Sequence, residues 1–206
     1  MTIKFKRKYF FNPYDITIKE RFYSICNNIE LNLQKEKPIL MISSLAQTQN
    51  ITNATAYLAL AFSEQRKRVL VVDANLRQPS LHHVFNIDHS FGLINLLLRE
   101  QNKDTTIKIT DYLSCLSTGE DLYEPMTLLT LETFPVLIEE WKEHFDIILF
   151  HTSDFLNAPD AQIVAKHCDG VVLMIQEGRD KSERIANARK QLEHNKCEIL
   201  GAVIIS

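Results

Sequence analysis

Short, almost unbroken apolar runs recur through this chain: ILMIS (39–43), VLVVD (69–73), DIILF (146–150), GVVLMI (170–175) and ILGAVIIS (199–206). A strand that is apolar at nearly every position must be covered on both faces. Parallel strands joined by crossover helices achieve this, and half-wet antiparallel hairpins do not. The stretches between the runs carry helical spacing. Ile18, Phe22, Ile25 and Ile29 make one face of a helix from Asp15 to about Gln34, with Asp15 as its N-cap, and Tyr57, Leu58, Ala61 and Phe62 do the same over 54–65. The pattern predicts an α/β fold of three layers, a mostly parallel sheet flanked by helices, with sites at the carboxyl ends of strands. Further helices are expected at 81–85, 93–99, 128–145 (its second part opened by Pro135), 158–166 and 181–194, and short strands at 106–110 and 112–117.

The chain is organised around the junction at 38–62, which reads as strand, loop and helix. In P-loop nucleotide-binding domains such a junction holds phosphate through glycine amides and one lysine. Here the loop is Leu45-Ala46-Gln47-Thr48-Gln49-Asn50-Ile51-Thr52-Asn53, which contains neither. All five glycines, Gly92, Gly119, Gly170, Gly178 and Gly201, lie beyond residue 90, so the first half offers no other phosphate-cradling loop. A side chain in a left-handed turn costs ~1–2 kcal/mol, least for asparagine, which makes Asn50 the residue to keep the turn. Thr52 or Asn53 is the expected cap of the following helix.

At 206 residues there is material for one sizeable core, and residues 1–206 are read as a single domain. A net charge of −3 gives no pull toward nucleic acid. Cys26, Cys115, Cys168 and Cys197 lack zinc or disulfide spacing, which fits reduced thiols in a cytoplasmic protein. No apolar run reaches the ~18 residues of a membrane span, and the start lacks a signal-peptide core. Residues 1–14 form a basic, aromatic tail in which Lys4, Lys6, Arg7 and Lys8 interleave with Phe5, Tyr9, Phe10 and Phe11. One reading packs the aromatics on the domain and leaves the charges solvated. The other places the tail on an anionic membrane surface, peripheral at the inner face. No metal site is expected: His82 and His83 are adjacent and face differently, and His151 has no second His or Cys at ligand spacing.

The helix around Glu20 leading into ILMISS, AYLALAF after the loop, VLVVDANLRQPSLHHVF, FDIILFHTSD, and DAQIVAKHCDGVVLMIQEG through ILGAVI together resemble the cytoplasmic domain of bacterial tyrosine kinases (BY-kinases). These are relatives of the MinD/ParA P-loop ATPases, and the resemblance covers nearly the whole chain. It implies ATP-dependent tyrosine autophosphorylation in capsule or exopolysaccharide export, with a membrane protein whose cytoplasmic tail completes the active site. Carried over residue by residue, the family's loop lysine falls on Ile51, its second aspartate after the strand on Asn75, its magnesium-shell aspartate on His151, and the asparagine ending the last strand on Ile205. Asp73 and the hydroxyl of Thr52 remain, and the helix pattern E-x-x-R-x-x-R reads Glu20, Tyr23, Cys26. The six tyrosines are dispersed.

Two functional readings follow from the resemblance. In the first the protein is catalytically inactive, with Asp73 a remnant and chemistry lost at Ile51, Asn75 and His151. It takes no cofactor and acts as a binding module on the tail of a membrane-anchored polysaccharide co-polymerase, in place of an active kinase paralogue. Asp73 then caps a helix or holds the fold, Arg77 pairs with it, and His151 is an ordinary hydrogen-bonded histidine. In the second the protein is an active kinase or ATPase that binds ATP and Mg²⁺ at a rearranged site, where the remnant loop residues Thr48, Asn50, Thr52 and Asn53 cradle phosphate and another basic residue replaces the lysine.

Overall fold

A computed structural model of the chain describes residues 2–3, 12, 16–33, 35–46, 50–100, 105–120, 124–195 and 197–205. Strands β1 (Thr2–Ile3), β2 (Ile39–Ser44), β3 (Val69–Asp73), β4 (Ile107–Lys108), β5 (Leu113–Leu116), β6 (Ile147–Asp154), β7 (Gly170–Gln176) and β8 (Glu198–Ile205) make one sheet in the order β1-β8-β7-β2-β6-β3-β5-β4. Every neighbouring pair is parallel except β4 with β5. The predicted three-layer architecture is observed.

Residue alternation explains the layers. Leu40 and Ile42 of β2, Val69 and Val71 of β3, and Ile147 and Leu149 of β6 face one core, which α1 (Ile16–Asn32) and α2 (Asn50–Glu64) cover. Ile39 and Met41, Leu70 and Val72, and Ile148 and Phe150 face the other. That side is covered by α4 (Leu93–Leu97), α5 (Pro125–Leu129), α6 (Thr133–His144), α7 (Pro159–Ala165) and α8 (Ser182–His194). Each such side chain contributes roughly 1.5–3 kcal/mol on leaving water, and the central strands do so on both faces. The inward face expected for α1 is present, with Ile18, Phe22, Ile25 and Ile29 all buried and Phe22 stacked on Tyr57 of α2, centroids 5.4 Å apart. All four cysteines are buried and free.

Several boundaries differ from the sequence reading. The 128–145 segment is two separate helices, α5 ending at Leu129 and α6 starting at Thr133, two residues before the expected Pro135; Thr130, between them, turns its hydroxyl back onto the carbonyls of Met126 (3.1 Å) and Thr127 (2.9 Å). The 106–110 strand shrinks to Ile107–Lys108, since the amides of Ile109 and Thr110 both turn back to the Leu113 carbonyl. The 93–99 helix stops at Leu97, and Arg99 has a left-handed φ of 57°. β6 runs on to Asp154, so His151 lies inside the strand, at the last position where β6 pairs with β3. Asp15, Thr48 and the basic residues Lys4, Lys6, Arg7 and Lys8 lie outside the described residues.

Candidate functional site

Strands β3 and β6 run side by side, and their register sets Asp73, at the carboxyl end of β3, opposite His151 within β6. The N-terminal turns of α2 and the entry to α3 (Leu81–Phe85) converge on the same place. All the polar side chains involved are buried or half-buried: Asp73 and His151 are 0% exposed, Thr55 0%, Thr52 6%, and Ser80 lies at the edge.

Asp73 holds α3. Its Oδ2 accepts the backbone amides of Ser80 (2.7 Å) and Leu81 (2.8 Å), its Oδ1 accepts the amide of Asn75 (3.3 Å), and its carbonyl accepts the Thr118 hydroxyl (2.8 Å). The helix-capping role expected for Asp73 is therefore observed. The expected ion pair with Arg77 is not: Arg77 Nε donates to Asp160 Oδ1 at 2.9 Å, because the buried Asp160 of α7 lies within its reach.

His151 is held at both nitrogens, Nδ1 3.1 Å from Thr55 Oγ1 and Nε2 3.2 Å from Ser80 Oγ, and Ser80 Oγ lies 2.9 Å from Thr52 Oγ1. Proton counting gives these contacts a direction. The Thr55 hydroxyl donates its one proton to the Ile51 carbonyl (2.9 Å), so toward His151 it accepts. His151 thus carries its proton on Nδ1, Nε2 accepts from Ser80, and Ser80 accepts from Thr52. The result is a one-way chain from Thr52 through Ser80, His151 and Thr55 to Ile51. It requires a neutral imidazole, and burial supplies one, pushing the His151 pKa below the ordinary histidine value against the opposing pull of Asp73.

The other expected site residues are scattered. Ile51, at the position the resemblance gives to lysine, is 5% exposed and packs in the core under α2. Asn50 is the first residue of α2 rather than a left-handed turn, and Thr52 and Asn53 lie inside the helix rather than capping it, since the helix starts earlier than expected. Asn75 Oδ1 is buried with no hydrogen-bond partner among the described residues. Ile205 ends β8. His82 and His83 face differently, as expected, His82 being buried and His83 exposed, yet their ring centroids lie only 3.9 Å apart. Sequence reasoning missed Ser80, Thr55, Thr118 and Arg184. Arg184 of α8 donates to the Leu45 carbonyl at the start of the loop and lies 3.9 Å from Asp154.

Comparison with known proteins decides the family. Tyrosine-protein kinase YwqD of Bacillus subtilis (strain 168) is 30% identical over 188 residues, spanning 90% of this chain and 79% of the relative. The chain belongs to the bacterial tyrosine-kinase family. Tyrosine-protein kinase CpsD of Streptococcus agalactiae is a further BY-kinase relative, 30% identical over 189 residues, covering 90% of this chain and 82% of the relative. Among solved structures, the chimerical protein CapA2B2 superposes with a TM-score of 0.89 at 23% identity, covering 98% of this chain and 92% of its own. The kinase domain of Escherichia coli ETK gives 0.86 at 21%, covering 91% and 75%. A ParA family ATPase from Chlorobium tepidum TLS gives 0.66 at 17%, covering 82% and 73%, which places the BY-kinase fold beside P-loop ATPases. No protein-family model matches the chain. Among the described residues no helix is long and apolar enough to cross a membrane.

Proposed function

We propose that this BY-kinase relative is catalytically inactive and works as a binding module in capsular or exopolysaccharide biosynthesis. The observation that carries the reading is the closed chain through His151: at the position where the family resemblance puts a magnesium-shell carboxylate, a neutral imidazole has both nitrogens committed to Thr55 and Ser80. Magnesium takes hard oxygen ligands, and a buried neutral histidine with hydroxyls already bonded to one another does not suit it. Asp73 is engaged by the amides of α3, and Ile51 offers no charge to a phosphate. The residues present do not fit Mg-ATP. Losing the lysine and a glycine amide removes about 3–5 kcal/mol of charge-assisted hydrogen bonding, roughly two to four orders of magnitude in affinity.

The partner in this reading is the cytoplasmic tail of a membrane-anchored co-polymerase. The structural neighbour CapA2B2 is a chimera, and CapB of Staphylococcus aureus is 27% identical to this chain over 191 residues. Lys4, Lys6, Arg7 and Lys8 add affinity for anionic lipid of ~1 kcal/mol each, which holds the protein at the inner face.

The test pairs binding with chemistry. Purified protein should give no calorimetric signal with sub-millimolar Mg-ATP and no phosphotyrosine, while a co-polymerase tail peptide captures it equally with and without ATP. Tight Mg-dependent ATP binding, or phosphotyrosine lost on Asp73→Ala, would overturn inactivity. Failure of capture in both conditions would overturn the binding role.

A further inference from the structure

The His151 chain leaves unused a second group of histidines, on α3 and the loop that follows. The His82 ring centroid is 3.9 Å from that of His83 and 4.1 Å from that of His89, the latter pair stacked at 17°. His82 is 7% exposed, and its Nδ1 has no hydrogen-bond partner among the described residues. Stacked rings present faces to one another rather than converging nitrogens. Among the described residues no group of three His, Cys, Asp or Glu could hold a metal ion. The group is built to respond to charge instead: neutral imidazoles pack well at this spacing, whereas imidazoliums repel and His82 has little solvent to screen it.

Three carboxylates bear on the cluster. Asp73 acts on His82, Asp88 on His89, and Glu120 Oε1 lies 3.6 Å from His89 Nε2. Asp73 favours a charged His82, but burial and the two neighbouring histidines outweigh it and hold the His82 pKa below its ordinary value. Asp88 and Glu120 are exposed and bear on the outer ring, His89. The element under this strain is slight. α3 is five residues long, tied at its start by the Ser80 and Leu81 amides to Asp73 and at its end by the left-handed Asn86, whose amide bonds the His82 carbonyl.

We propose that the His82, His83 and His89 stack is an acid-sensitive latch: repulsion among protonated rings and the cost of a charge buried at His82 outweigh the attraction of Asp73, open α3 and draw Ser80 out of its bond with His151. The neutral stack keeps the site closed. Its protonation frees the Asp73 carboxylate and the Ser80 hydroxyl together, since both are held through the first residues of the same helix.

Amide hydrogen exchange on the full chain tests this. Protection factors at Ser80 and Leu81 should be nearly flat above about pH 7 and fall toward tenfold per pH unit below about pH 6.5, as expected for one linked proton, while Val71 in β3 stays protected. The double variant His83→Gln, His89→Gln should weaken that response, leaving the part that burial of His82 supplies, with His151 intact. An unchanged acid response in the double variant would place the titration elsewhere and overturn the latch, as would the absence of any response in the native protein. Should the double variant not fold, His82→Phe keeps a stacked ring without a titrating one and must lose the response. The His82 titration followed by NMR gives a second readout: a curve that moves when His83 and His89 are replaced supports the latch, and an unmoved curve refutes it.

Discussion

His151 shows how one residue can keep a position and change its chemistry. A carboxylate there would lie beside Asp73, opposite it in the paired strands. A neutral imidazole avoids that repulsion and joins two hydroxyls into one chain. His151→Asp should therefore destabilise the fold by about 1–3 kcal/mol at neutral pH, through the lost hydrogen bonds and a second buried charge. The sign of its pH dependence is set by both proteins. In the native protein burial lowers the His151 pKa, so the stabilisation it gives is present above the ordinary value of 6.5 and is lost as pH falls through the folded value. Paired carboxylates in the variant have a raised pKa and are relieved by acid. The deficit of the variant should accordingly be largest above about pH 7 and narrow on acidification, read by urea unfolding across that range. A deficit that widens in acid would contradict the neutral-imidazole assignment. The departures at Ile51, Asn75 and His151 were legible in the sequence because they are changes of residue type. What each polar atom bonds to was not, since Thr55 and Ser80 stand 96 and 71 residues from His151 along the chain and no local pattern joins them.

α3 depends on a carboxylate outside itself. Ser80, at its N-cap, makes no side-chain capping bond, and Asp73 supplies the acceptor from the end of β3 instead. Asp73→Asn keeps an acceptor oxygen but loses its charge, and should cost about 1–2 kcal/mol, in the range of a lost helix cap. A thermal melt would show it, and loss of exchange protection confined to α3 would localise it. No change in either would mean that Asp73 does not hold the helix. At this scale the sequence carried the strands and the two long helices well, because continuous apolar runs and 3.6-residue spacing are set by the core alone. It failed at element ends. The apolar spacing of Leu128, Leu131 and Phe134 runs straight through the break between α5 and α6, which no change of residue type marks. Tyr23 and Cys26 of α1 turn onto α2, Tyr23 toward Glu64 at the surface and Cys26 in the interior with its thiol 3.9 Å from the Leu58 carbonyl, so two positions of the family's E-x-x-R-x-x-R pattern contact the neighbouring helix here.

Across the whole molecule the glycines divide by what surrounds them. A Cβ at Gly92 would sit 2.2 Å from the Ser117 carbonyl oxygen and 2.4 Å from the Gly119 amide, where the entry to α4 crosses the end of β5. Gly201 in β8 has nothing within 4 Å of its would-be Cβ. Gly92→Ala should destabilise by about 1–3 kcal/mol or prevent folding, whereas Gly201→Ala should be neutral or stabilise by about 0.4–1 kcal/mol through the unfolded chain. Thermal melts of the two variants check this, and comparable losses in both would show that the close crossing at Gly92 is not the cause. The directed chain through Ser80 has a kinetic counterpart. It joins α2, the entry to α3 and β6, so it can close only after β3 and β6 have paired and α2 has docked. Such a contact is expected to form after the transition state for folding, in the last step of assembly. Ser80→Ala should therefore leave the refolding rate unchanged and put its whole effect on unfolding, about tenfold faster for each 1.4 kcal/mol removed. In a chevron plot only the unfolding arm would move, and a slower refolding arm would place the chain in the nucleus instead. The hydrogen bonds that close this site would then act as a lock on the finished fold, setting how long the native state lasts and not how quickly it forms.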